Sequence, residues 1–120
     1  AGSAKAFAMV NLGSGQPILV AARSKGVTGV SRATGSPLGV FCVQVDAAVN
    51  VAASAPVATI EYNTSPSGSA TRIEVSTDTT GCPANSVQVI TTQVLVGASN
   101  AQGASLETFA FDQSFLVLVP

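Results

Sequence analysis

Two cysteines, Cys42 and Cys82, are the residues of this 120-residue chain whose types and spacing most clearly indicate chemistry. No C-x-x-C or similar metal-ligand spacing accompanies them, so they predict one long-range disulfide. Such a bridge would close a loop of about 40 residues and stabilise the fold by about 4 kcal/mol in the chain-entropy model. Cys42 falls within an apolar segment, which predicts an inward side chain beside Val40. Two buried free thiols are the alternative, since unpaired cysteine often packs as a small hydrophobic residue.

The remaining titratable residues give little support to catalysis. The chain has no histidine, and this removes the commonest general base and the commonest metal ligand together. Glu61 and Glu74, on neighbouring predicted strands, are the best pair of carboxylates for glycoside hydrolysis, but two solvated charges on strand faces explain them more simply. The turn at 78–81 is too short for a calcium site, and Asp78 and Asp112 suit turns in which aspartate bonds its own backbone. We expect no enzymatic activity, no metal and no cofactor.

The charge balance excludes the usual nucleic-acid-binding domain. Five basic residues stand against six acidic ones, and charged residues make up 9% of the chain, far below the roughly 25% of an average soluble domain. A nucleic-acid binder would show a basic patch. Hydrophobic residues make up 47% of the chain, yet no apolar run is long enough to span a bilayer. We expect the apolar excess to lie in the core and against other subunits.

Alternation of apolar and polar residues with a period of two predicts strands along the whole chain. The segments are rich in β-branched residues and bounded by Gly, Pro, Asn or Ser. The predicted strands are residues 4–11, 17–22, 26–31, 38–46, 56–62, 71–77, 86–96, 107–111 and 114–119. Residues 46–55 are rich in alanine, but valines dilute that pattern and Pro56 closes it, which predicts strand and turn, with a helical turn as the alternative. The pattern predicts one all-β domain over residues 1–120, an antiparallel sandwich or jelly roll of about nine short strands with one disulfide.

The two terminal strands are the predicted subunit contacts. In the first strand large side chains alternate with alanines, so it can fill a groove in a neighbouring copy, or equally well pair within its own domain. The last strand is apolar on both faces, which suits a central position in its sheet. The predicted contact residues are Lys5, Phe7, Met9, Val10, Phe115, Val117 and Val119.

Two long loops, at 63–70 and 97–105, are candidates for binding a glycan or a protein of a host surface. The residues predicted to bind are Asn63, Thr64, Ser67, Asn100 and Gln102. The segment Arg23-Ser24-Lys25 offers a basic pair to an anionic surface or a neighbour's carboxylate. A bend with solvated charges, in which Ser24 bonds to the backbone, is the simpler explanation of that segment.

Several segments, in order along nearly the whole chain, resemble a family of bacterial secreted domains. They are AFAMVN at 6–11, ARSKGVT at 22–28, GVFC at 39–42, TGCPA at 80–84 and DQSFLVLVP at 112–120. The family reads approximately A-Y-A-x-V-x, ARSKNVT, G-x-Y-C-F, A-G-C-P-A-G and D-x-x-F-x-V-L-V-P. This chain departs from it by Phe7 and Phe41 in place of Tyr and by an insertion-like segment at 13–18. The family is known mostly as uncharacterised proteins or terminal domains of surface and collagen-like proteins, so the resemblance implies an extracellular β domain with paired cysteines and no known activity.

These observations predict a secreted structural subunit of the cell surface. We expect it to self-associate into an extracellular fibre, filament or trimeric head through β-strand contacts. An adhesin-like recognition module that binds through its loops is the alternative. The first residues, Ala1-Gly2-Ser3, are of the small type that signal cleavage leaves behind, and the paired cysteines point to an oxidising compartment, so we expect a mature secreted chain.

Overall fold

The computed structural model describes residues 4–36, 38–67, 70–96 and 106–120, without the side chains of 95–96 and 106–108. These residues form two antiparallel sheets packed as a β-sandwich, which confirms the predicted fold class. Two single 3-10 turns, Ala21–Arg23 and Val51–Ala53, accompany the strands. The strands are β1 (Ala6–Asn11), β2 (Ile18–Leu19), β3 (Val27–Arg32), β4 (Val40–Val45), β5 (Val57–Ile60), β6 (Thr71–Ser76), β7 (Ser86–Val96), β8 (Leu106–Ala110) and β9 (Phe115–Val119). Within the described residues, no helix is long and apolar enough to cross a membrane.

One sheet has the strand order β2-β1-β9-β5, and the other has the order β3-β4-β7-β6, with β8 pairing to the end of β7. The first strand, β1, therefore lies inside its own sheet, between β2 and β9. The sequence left two arrangements open, pairing of this strand within its own domain and its donation to a neighbouring copy. The structure has the first of them. The last strand, β9, lies between β1 and β5, which confirms its predicted central position.

The core lies between the two sheets, where Phe41 of β4 packs against Phe115 of β9 with ring centroids 5.6 Å apart. From β1 the small residues Ala6 and Ala8 face inward, together with Val10. The small side chains allow a close approach, since a Cβ on Gly26 would lie 3.2 Å from that of Ala6. The inward face of β1 is thus the alanine face, while its large side chains point outward.

The burial of the terminal strands corrects several predicted subunit contacts. Val10, Phe115, Val117 and Val119 are buried in the core of their own chain, so they are not available to a second copy of the folded subunit. Successive side chains of a strand point to opposite faces, and these four occupy the inner face. The other predicted contacts lie outward: Lys5 and Phe7 are exposed, and Met9 is half-buried.

Cys42 and Cys82 form the predicted disulfide, but Cys42 does not face the core. It is buried on the outer face of β4, opposite in direction to Phe41 and Val43. The connection between β6 and β7 folds over that face: the Thr34 N–H donates to the Gly81 carbonyl at 3.0 Å, and the Gln88 side-chain amide donates to the Thr80 carbonyl at 3.4 Å. The disulfide therefore fastens a loop onto the outside of the five-stranded sheet.

Residues 46–55 contain no strand: they form the predicted turns, and the 3-10 turn Val51–Ala53 corresponds to the helical turn that was the alternative. Hydrogen bonds from the side chain of Asn85 hold the backbone of this segment, where pairing with another strand would otherwise do so. Its amide nitrogen donates to the carbonyls of Val45, Asp46 and Val49 at 3.2, 3.0 and 2.8 Å, and its oxygen accepts from the Val51 N–H at 3.2 Å. Backbone polar groups that are satisfied by one side chain need no partner strand.

Candidate functional site

The outer face of the β2-β1-β9-β5 sheet is apolar at the positions where an antiparallel sheet normally carries polar residues. Phe7, Leu116, Leu118 and Val57 are exposed to 39, 36, 41 and 58%. The strand register brings them together: Phe7 lies opposite Leu118, and Leu118 lies opposite Val57. We name the outer apolar face by its residues, Phe7, Met9, Val57, Leu116 and Leu118.

A second row runs beside the first, because Met9 lies opposite Leu116 and Leu116 lies opposite Thr59. The rows enclose a shallow concavity of about 410 Å³, with Arg23 at its margin. No charged side chain lies within the two rows. A contiguous, exposed apolar patch often marks an interaction site on a protein surface.

The segment that follows β2 lies beside β1 on the side away from β9, and it contains the basic residues Arg23 and Lys25. Phe7 and Lys25 exchange backbone hydrogen bonds of 2.9 and 2.8 Å. The Ser24 hydroxyl donates to the Val20 carbonyl at 2.7 Å and accepts from the Met9 N–H at 3.3 Å. The predicted bond between Ser24 and the backbone is therefore present, and Arg23 and Lys25 are exposed.

A polar groove lies where β1 and β5 end. Both strands run antiparallel to β9, so they run in the same direction and the loops that follow them meet beside the start of β9. The groove has a volume of about 540 Å³ and is lined by Asn11, Ser14 and Ile18 from one loop and by Asn63, Thr64 and Pro66 from the other. We keep the name polar groove for the surface lined by these residues.

The loop residues predicted to bind a ligand differ in where they lie and in how far they are exposed. Asn63 is exposed and Thr64 is half-buried, and both line the polar groove. Ser67 lies further along the loop, where its backbone N–H donates to the Gln113 side chain at 3.2 Å. Its hydroxyl oxygen is buried and has no hydrogen-bond partner among the described residues. Asn100 and Gln102 lie outside the described residues.

The two carboxylates considered for glycoside hydrolysis do not form a pair. Glu61 follows β5 in one sheet, whereas Glu74 lies on β6 of the other sheet, so they are not on neighbouring strands of one sheet. The hydrogen bond from the Thr64 hydroxyl, assisted by backbone N–H groups, holds the pKa of Glu61 below its usual value. An ionised, fully engaged carboxylate is a poor general acid. Glu74 is half-exposed and forms an ion pair with Arg72 at 3.3 Å.

Asp112 has a structural role that the sequence did not predict. It does not bond its own backbone as predicted: its carboxylate accepts from both guanidinium nitrogens of Arg32 at 2.8 and 2.6 Å and from the Gly39 N–H at 2.9 Å. Arg32 also donates to the Gly15 carbonyl at 2.9 Å and lies 5.4 Å from the Phe41 ring centroid. Burial raises the pKa of Asp112, but the bonds from Arg32 and Gly39 outweigh it and hold that pKa below its usual value. Asp78, in contrast, accepts from the Thr80 N–H at 3.0 Å, as a turn aspartate does.

Comparison of the chain with protein-family models, with curated proteins and with solved structures finds no match. Among the described residues, no group of His, Cys, Asp and Glu side chains is placed to hold a metal ion. The two surfaces that remain as candidates for function are the outer apolar face and the polar groove. Neither was distinguishable from the sequence, because each joins residues from strands or loops far apart in the chain.

Proposed function

We propose that this chain is a non-enzymatic, extracellular structural subunit that binds further copies of itself through the outer apolar face. The observation that carries the proposal is the pair of apolar rows across β1, β9 and β5, exposed to solvent in the single chain. Covering apolar surface contributes about 25 cal/mol for each Å² removed from water. Two such faces stacked against each other would pack as two sheets of a sandwich do, about 10 Å apart.

A second copy is the occupant that fits this face best. The two rows carry no charged side chain, Arg23 lies only at their margin, and a charge content of 9% leaves few groups that would repel another copy. Three strands about 4.8 Å apart and five residues long measure about 250 Å², against about 800 Å² per partner in a standard interface. One contact of this size binds weakly. A face-to-face pair of this kind closes as a dimer, so a fibre, a filament or a trimeric head would require a further contact beside this one.

An extracellular location is supported by the disulfide, because such bonds persist in oxidising compartments. The resemblance to secreted bacterial surface domains points the same way. The route of association differs from the donated strand considered from the sequence. In this proposal β1 stays in its own sheet and contributes Phe7 and Met9 to the contact, while β9 contributes Leu116 and Leu118 in place of its buried residues.

Sedimentation velocity over a range of protein concentrations tests this function. We expect the native protein to associate as its concentration rises, and Leu118→Ser to weaken association by about tenfold or more, since each copy loses a buried leucine. Leu38→Ser is the matched control, because Leu38 is exposed to a similar extent but lies off the face. A native protein that stays monomeric, or a Leu118→Ser variant that associates as the native protein does, would overturn the proposal.

A further inference from the structure

One buried hydroxyl joins the two loops that form the polar groove. The Ser114 hydroxyl accepts from the Leu12 N–H at 2.8 Å and donates to the Thr64 carbonyl at 3.1 Å, so it joins the two loops that form the walls. Within the second wall, Glu61 accepts from the N–H groups of Asn63 and Thr64 at 3.1 and 2.9 Å. A preorganised site loses little conformational entropy when a ligand binds.

The walls present polar groups that the protein itself does not use. Within the described residues, the side-chain amide of Asn63 and the hydroxyl of Ser14 have no hydrogen-bond partner. The Asn11 side chain accepts from the Gly13 N–H at 2.7 Å through its oxygen, which leaves its amide nitrogen to donate elsewhere. The Asn63 amide offers two donors and an acceptor in one plane, and the Asn11 amide offers its donors. Opposed amides of this kind can bind neighbouring hydroxyl groups of a ligand.

The charge of the groove narrows the class of ligand. None of its lining residues is charged, and the Glu61 carboxylate beside it is engaged by its own loop. An anion would find no cation there, and a cation would find no free carboxylate. A peptide, which needs an open strand edge or apolar pockets, would find apolar contact only at Ile18 and Pro66.

We infer that the polar groove binds a neutral saccharide. Asn63 and Asn11 bond the sugar hydroxyls from opposite walls, and Ser14 adds a third polar contact. Ile18, at the edge of the groove, contacts the less polar ring face. Tyr62 precedes Asn63 and is 67% exposed, so its ring is open to a longer chain of sugars.

Titration of the isotope-labelled protein, followed by its amide resonances in NMR spectra, tests the inference. The probes are N,N′-diacetylchitobiose, maltotriose and mannotriose, followed by an array of neutral glycans. We expect at least one probe to shift the resonances of Ser14 and Asn63 saturably, with a dissociation constant on the order of 1 mM for so open a site. Absence of binding to all of the probes and to the array would overturn the inference.

Variants tie the binding to the groove. Asn63→Ala is expected to weaken binding about tenfold, the loss of one or two hydrogen bonds, and to leave stability unchanged because its side-chain amide has no partner among the residues that the structure describes. Asn50→Ala, an exposed asparagine without a side-chain cap bond, is the matched control. Leu118→Ser is expected to bind as the native protein does, so a failure of self-association would not imitate a failure here. Binding that survives Asn63→Ala unchanged would contradict the inference.

Discussion

Asp112 joins parts of the chain that are far apart in the sequence. Through Arg32 and Gly39 its carboxylate connects β3, the loop between β3 and β4, and the approach to β9. The next two residues, Gln113 and Ser114, are also fully buried and bond to β7 and to both walls of the polar groove. The segment before β9 is therefore a polar framework on which the groove depends.

Asp112→Asn is expected to lower the free energy of unfolding by about 2–3 kcal/mol at pH 7, the cost of a charged hydrogen-bonded pair at a mostly buried site. The pKa of Asp112 is lowered by folding, so its contribution is present above the ordinary value of 3.8 and is lost as the pH falls through the lower folded value. The variant should therefore lose less stability than the native protein between about pH 5 and 2. Urea unfolding across that range measures both effects. Equal acid sensitivity in the two proteins would contradict this role, since Glu61 and Asp78 titrate in both.

A pair of glycine substitutions tests the geometry beside this carboxylate. Gly39 has a φ of 72°, and a Cβ added there would lie 2.5 Å from the Thr91 carbonyl oxygen. We expect Gly39→Ala to destabilise the fold by about 3 kcal/mol or more, through strain and overlap with the backbone. Gly29, on β3, has open space around its Cβ position and no positive φ, so Gly29→Ala should change stability by less than about 1 kcal/mol. Thermal unfolding of the two variants compares them, and similar melting temperatures would refute the difference.

At the scale of elements, β1 is a structural strand of its own subunit. Deleting residues 1–10 would remove Ala6, Ala8 and Val10 from the core and leave one side of β9 without its partner. We expect that chain to fail to fold, as judged by circular dichroism. A folded chain without residues 1–10 that no longer associates would instead support strand donation between subunits.

The strands were predictable from the sequence because alternation with a period of two is local. Their faces were less predictable: Ala6 and Phe7 alternate clearly, but only the approach of the opposite sheet decides that the alanines face inward. The side-chain direction of Cys42 was predicted wrongly for a similar reason, because the loop that contains Cys82 buries this side chain on the outer face. The partners Arg32 and Asp112 are 80 residues apart, and no local pattern connects them. Both candidate surfaces arise from strand order, which alternation does not specify.

At the scale of the whole molecule, the two candidate surfaces occupy different places. The outer apolar face lies across β1, β9 and β5, while the polar groove lies in the loops beyond the ends of β1 and β5. Stacking of sheet faces would leave those loops at the margin of the contact. In the proposed association, copies therefore meet through their sheets while the polar groove stays accessible.

Solvent exposure of leucine methyl groups in the associated protein tests the central claim most directly. A soluble paramagnetic agent enhances the relaxation of exposed methyls, and it can be measured by NMR at rising protein concentration. The account predicts that the enhancement falls at Leu116 and Leu118 as copies associate, while Leu38, which lies off the outer apolar face, keeps its full enhancement. Association with undiminished enhancement at Leu116 and Leu118 would contradict the claim that copies meet through this face.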